Sequence, residues 1–174
     1  MLWKNDGYWH YETFSFHEPP ATFGVFEPMV ELWRAKTPAG AAAPDWRHFE
    51  LTDLKGWWGW SHVYDAVPGE PLHFRVRLWG SNIASVLGYD VTGQLLRPET
   101  AAGAADAQNI TRDDLEFARY LLDNAQLGRG SGPIDARFGN VCDYQEIMLP
   151  LSGDGQTLDK VLYFCSTVMT GVER

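Results

Sequence analysis

The chain has little of what several large functional classes require. Its 174 residues include two cysteines, Cys142 and Cys165. Two thiols are too few for a Cys-rich structural zinc site. Each falls in or beside an expected strand, where a bridge is conceivable, but the reading is two reduced, buried thiols. Positive charge is scarce, with 14 Lys and Arg against 23 Asp and Glu, a formal net charge of −9. That balance argues against nucleic acid, which recruits clustered Lys and Arg, and against anionic membrane surfaces. No apolar run approaches the roughly 18 residues of a membrane span. The opening MLWKNDGYWHYE lacks a signal-peptide layout, so a cytoplasmic setting is expected.

Signatures of catalysis and of metal or nucleotide binding are also missing. None of His10, His17, His48, His62 and His73 forms an HxxxH or HExxH pair, so local spacing offers no metal site. There is no Gly-x-Ser-x-Gly elbow. Ser61 and His62 are adjacent on an expected strand, so their side chains should point to opposite faces. Gly128 to Gly132, GRGSG, follows a helix and precedes Pro133. A dinucleotide loop needs a strand before it and a helix after it, so this stretch reads as a linker, with Gly128 ending the helix.

What is present in quantity is aromatic surface, 14% of the chain, with every Trp at or before Trp79. A chain of this length is one domain able to bury a substantial core. Its first half carries rings that are either core or interface.

Leu72 to Gly93, LHFRVRLWGSNIASVLGYDVTG, is the most informative stretch. Leu72, Phe74, Val76 and Leu78 alternate with His73, Arg75, Arg77 and Trp79, the period of a strand. Gly80 permits a sharp turn and Ser81 suits an N-cap. Ile83, Val86 and Leu87 recur at helical spacing, and Gly88 stands where a left-handed C-cap belongs.

This passage resembles the PAS-domain family, in particular its small single-domain bacterial (alphaproteobacterial-type) branch. The matching residues are Arg75, Arg77, Leu78, Gly80, Ser81, Ile83, Gly88, Asp90, Val91, Thr92 and Gly93. The resemblance implies an α+β fold, a five-stranded antiparallel sheet with helices on one face. It implies a stand-alone sensory, ligand-binding or protein-interaction module in signalling and identifies no reaction. No cofactor is expected. Haem-binding members usually supply a His from a helix beside the pocket, and the helix after Thr111 has none. Flavin photochemistry in this fold uses a Cys in an Asn-Cys-Arg-Phe-Leu context, which neither Cys142 nor Cys165 has.

The remaining elements follow. Residues 1–27 form an aromatic arm outside the resemblance, with Tyr11 to Phe16 extended and Pro19-Pro20 breaking it. The arm packs on its own domain or serves dimerisation or docking. Residues 28–174 form the PAS-like domain. A helix starts at Pro28, and Phe49, Leu51 and Leu54 make a helical turn. Trp57 to Val67 reads as the first core strand, whose large rings fill space a pocket would need. Pro98 to Asn109 is a loop. Thr111 caps a helix, with Asp114 in the capping-box position and Leu115, Ala118, Leu121, Leu122 and Ala125 buried. Strands at 133–139, 143–152 and 158–170 close the chain, with a hairpin turn at Ser152 to Gly155. The last strand is apolar on both faces, with Val161, Tyr163 and Cys165 on one and Leu162, Phe164 and Val168 on the other, so it should be central.

A ligand would sit between sheet and helices. The candidate walls are Phe74, Val76, Leu78, Ile83, Leu87, Leu121, Ile147, Leu149 and Phe164, each also readable as plain core. Arg77 is the candidate anion or interface contact, against a solvated face paired with surface acids. The expected partners are a second copy of the chain in a homodimer, a small-molecule ligand or a signalling protein. The alternatives are a structural adaptor with a filled core and an enzyme on a similar α+β cone fold.

Overall fold

A computed structural model describes residues 1–98, 110–136 and 141–169, with residues 168 and 169 described by backbone only. The loop expected beyond Pro98, the end of the 133–139 strand and the Val168 side chain therefore lie outside the described residues. The elements run β1 (Leu2–Asn5), β2 (His10–Ser15), α1 (Glu27–Lys36), β3 (Ser61–Ala66), β4 (Phe74–Trp79), α2 (Ser81–Leu87), β5 (Leu95–Leu96), α3 (Arg112–Asn124), β6 (Gln126–Asp135), β7 (Val141–Ser152) and β8 (Leu158–Met169).

All eight strands form one antiparallel sheet, in the order β1-β2-β6-β7-β8-β3-β4-β5. The expected five are β3, β4, β6, β7 and β8, in the chain order two strands, helices, three-strand meander. The sheet is larger because the amino-terminal segment folds into a hairpin. Its β2 pairs with β6 from His10 opposite Ser131 to Ser15 opposite Gln126. That pairing covers a β6 edge whose backbone groups would otherwise be open to other chains. Two-residue β5 extends the other side along β4.

Helices cover both faces rather than one. On one face α1 brings Met29, Val30 and Trp33, with Phe23 and Phe26 ahead of it, onto Ile147, Leu149, Leu162 and Phe164. On the other, Ile83 of α2 and Leu115, Phe117 and Leu121 of α3 pack with Phe74, Val76, Val161, Tyr163 and Cys165. Strand β8 lies between β7 and β3 and feeds both clusters, as its two apolar faces require.

Four local readings are corrected. Strand β3 begins at Ser61, and Trp57 and Trp58 belong to the turn before it. Trp57 packs on Phe26 and Phe164, and the Trp58 indole donates to the Leu51 carbonyl at 2.7 Å. Gly80, not Ser81, is the N-cap of α2, while Gly88 is the left-handed C-cap with φ 87°. Helix α3 has its capping box of Thr111 and Asp114, yet it ends at Asn124, with exposed Ala125 left-handed. GRGSG lies within β6 and is no linker. A Cβ on Gly128 would stand 2.5 Å from Leu121 Cδ1 and 2.9 Å from Phe117 Cε1. The glycine is there so that α3 can lie close on the strand.

The strand alternation in β4 breaks at Arg77. Val63 pairs with Leu78 and Tyr64 with Val76, so Arg77 is the extra residue of a bulge. The bulge sends Trp79 to the α3 face and Leu78 to the α1 face.

Candidate functional site

A small cavity of about 40 Å³ lies on the α3 face of the sheet. Its lining comes from many elements: His62 and Tyr64 of β3, Trp79 of β4, Tyr144 and Glu146 of β7, Tyr163 of β8 and Asp114 of α3. Trp9 closes one side and also lines, with Tyr144, an open surface groove. Two glycines of β6 leave room here. A Cβ on Gly130 would crowd Glu146 Oε1 at 3.2 Å, and one on Gly132 would meet the Trp9 ring at 2.8 Å.

The polar groups converge because neighbouring strands hold them at matched registers. His62 lies opposite Tyr163, and Glu146 opposite Cys165. The His62 and Tyr163 rings stack at 4.1 Å. The Tyr144 hydroxyl lies 2.7 Å from Glu146 Oε2 and 2.7 Å from Cys165 Sγ. One hydroxyl hydrogen can serve only one of these, so the other contact uses a thiol or carboxyl hydrogen. Cys165 Sγ is 3.5 Å from His62 Nδ1, and His62 Nε2 is 4.0 Å from Glu146 Oε2. Cys142 is also buried and unbridged, but it lies opposite Met169 in the strand register, four residues along the ladder from the Glu146–Cys165 pair.

Burial sets the charge state. Desolvation pushes His62 down to about 3 and Glu146 up to about 8, the latter helped by the Asp114 charge. It also raises Cys165, Tyr144 and Tyr163 well above their ordinary values. No Lys or Arg pairs with Glu146 among the described residues. The buried Tyr163 hydroxyl has no hydrogen-bond partner there either. A polar atom left so is costly unless something outside the chain satisfies it.

Asp114 joins this site to the arm. Its Oδ1 accepts from the Tyr11 hydroxyl at 2.6 Å, and its Oδ2 accepts from the Thr111 amide at 2.6 Å and the Thr111 hydroxyl at 2.8 Å. Burial raises its carboxyl pKa, against these donors. Asp114→Ala removes the carboxylate half of the capping box, leaving Thr111 as the N-cap, and strands a Tyr11 hydroxyl whose residue is 1% exposed. The expected loss is about 2–4 kcal/mol, from about 1 for a cap and 1–3 for a buried orphan. Asp114→Asn, which keeps an acceptor, should cost less than half of that in urea unfolding.

Of the candidate walls, Leu87 lines the cavity, while Phe74, Val76, Ile83 and Leu121 sit in the hydrophobic cluster around it. Leu78, Ile147, Leu149 and Phe164 face the α1 side. Arg77 is about half exposed and is held bidentately by Asp65, at 3.0 Å through Nε and 2.8 Å through NH2. Sequence reasoning missed Tyr144, Glu146, Tyr163 and Asp114 as cavity groups. Glu146 alone carried a signal, as an acid at an inward position between Tyr144 and Met148.

No family model matches the chain. No curated protein matches it. Among solved structures, an RNA-binding light-oxygen-voltage receptor aligns over 83% of this chain and 33% of its own, at 13% identity and a TM-score of 0.44. The chain thus spans about a third of the length of that protein. Among the described residues no helix is long and apolar enough to cross a membrane.

Proposed function

We propose that the chain is a PAS-like sensory or interaction module without catalysis of its own, and that its input site is the cavity beneath α2 and α3. The chain order of β3, β4, the helices and the β6–β8 meander supports the family reading, as do the residues of the Leu72–Gly93 stretch. The observation that carries the site is a Tyr163 hydroxyl without a partner among the described residues, in a cavity also lined by Glu146, an acid that no described Lys or Arg meets. The rings of Tyr64, Trp79 and Tyr163 leave about 40 Å³, which suits an occupant of a few atoms and is far smaller than haem or flavin. Those rings also favour the second reading, an adaptor with a filled core. The polar lining weighs against it, since a core built only for packing has no use for Glu146 and His62.

Pairing of two copies loses the support that suggested it. Tyr11, Phe23 and Phe26 are buried within their own chain, and the Trp3 and Trp9 rings pack on it too. Of the arm's rings Tyr8 stands out as exposed.

Native mass spectrometry of gently purified protein tests the input site. A small adduct lost on denaturation is expected, with no Soret or flavin absorption. A native mass equal to the bare chain would remove the ligand and leave the adaptor.

A further inference from the structure

We propose that His62, Glu146 and Cys165 bind one divalent ion of the zinc type. This rests on reading the cavity as the input site and names what enters it. Imidazole nitrogen, carboxylate oxygen and thiolate sulfur form a mixed donor set that suits Zn²⁺ or Co²⁺ rather than Mg²⁺ or Ca²⁺. The donors stand on β3, β7 and β8, three consecutive strands of the sheet, so the backbone ladder fixes their spacing.

One spacing already fits, and an ion would draw the third donor in. Tetrahedral bonds of about 2.3 Å to sulfur and about 2.0–2.1 Å to nitrogen or oxygen place donor atoms about 3.4–3.6 Å apart. Cys165 Sγ is 3.5 Å from His62 Nδ1, within that range, while Glu146 Oε2 is 4.0 Å from Sγ, so the carboxylate must close on the pair when an ion binds; all three donors lie within 4.8 Å of one another. All three side chains are buried.

Charge fits as well. On binding, the thiol and the carboxyl each release a proton to solvent. The thiolate, the carboxylate and the doubly charged ion then sum to zero, the favourable state for a buried cluster. His62 and Glu146 line the cavity, so an ion held by them would lie at its wall. The volume of about 40 Å³ admits a water as a fourth ligand, and Tyr163, whose hydroxyl has no partner among the described residues, lines the same cavity.

The test is titration of the metal-stripped full chain with Co²⁺ alone, followed by Zn²⁺. The expected result is one equivalent of Co²⁺ giving tetrahedral visible bands and a thiolate charge-transfer band, both bleached by Zn²⁺. Cys165→Ser should abolish the charge-transfer band and Cys142→Ser should keep it. At a hundredfold excess over Kd, Zn²⁺ should raise Tm by about 5–10 °C. X-ray absorption of the zinc-loaded wild type should show one sulfur among nitrogen and oxygen ligands, a readout that needs no variant to fold. No saturable band, or a band that survives Cys165→Ser, overturns the proposal. If the metal fails while native mass spectrometry shows an organic adduct, the cavity reading stands and the ion alone is wrong. If both fail, both readings fall.

Discussion

A chain beginning at Pro28 should not fold. Residues 1–27 supply β1, β2 and the turn Pro20–Phe26, and none of these is peripheral to the packing. Strand β2 is paired on both sides, to β1 and to β6. Tyr11, Phe23 and Phe26 are buried, the first on the α3 face and the other two on the α1 face. Arg34 of α1 donates to the Phe16 and Glu18 carbonyls, and Arg129 of β6 pairs with Glu12. Each large buried ring is worth about 3–5 kcal/mol, so three rings reach the whole stability of a typical domain, about 5–15 kcal/mol. The bare β6 edge adds an aggregation site. Circular dichroism and light scattering should show an unfolded or aggregated product. A folded, monodisperse 28–174 fragment would make the arm an accessory. Light scattering of the full chain reads its oligomeric state in the same experiment.

What could be read from sequence was local. The Thr111–Asp114 box, the Gly88 cap and the two-faced β8 each declare themselves within a few residues, and each is present. The site is not local. His62, Glu146 and Cys165 are scattered over about a hundred positions and meet only through strand pairing across β7-β8-β3. Leu78, Ile147, Leu149 and Phe164 read as pocket walls only for a sheet with one covered face. With α1 on the second face, an apolar strand position no longer says which side it faces. GRGSG misled through composition. Its glycines at 128, 130 and 132 recur at the strand period, but glycine weakens a strand unless something close needs the space. Here Leu121, Glu146 and Trp9 need it.

Gly80→Ala should be the most damaging glycine-to-alanine change among the described residues. Within the R-x-R-L-x-G-S string this glycine suggests a turn needing glycine's freedom, but its backbone is ordinary, with φ −64° and ψ 140°. At such an angle any residue fits, and alanine should even stabilise by about 0.4–1 kcal/mol through the unfolded chain. Space decides otherwise. A Cβ on Gly80 would lie 2.3 Å from the Gly59 carbonyl oxygen, 2.7 Å from its carbon and 2.7 Å from the Ser61 carbonyl oxygen. All three are backbone atoms, so no rotamer change relieves the clash. Relief requires β4 and α2 to move away from the turn that opens β3, next to His62. Overpacking costs typically 1–3 kcal/mol and more when backbone must shift, so about 3–5 kcal/mol is expected. Two comparisons isolate the cause. The three atoms nearest a Cβ on Gly59 all belong to the Asn82 side chain, which can swing away, so Gly59→Ala should cost less. Gly93→Ala meets nothing within 4 Å but sits at φ 82°, and should cost about 1–2 kcal/mol for the left-handed backbone. Urea unfolding of the three variants should rank them Gly80, then Gly93 and Gly59 well below. A Gly80→Ala protein within about 1 kcal/mol of wild type would mean that β4 and β3 do not approach this closely, and the spacing around His62 would have to be redrawn.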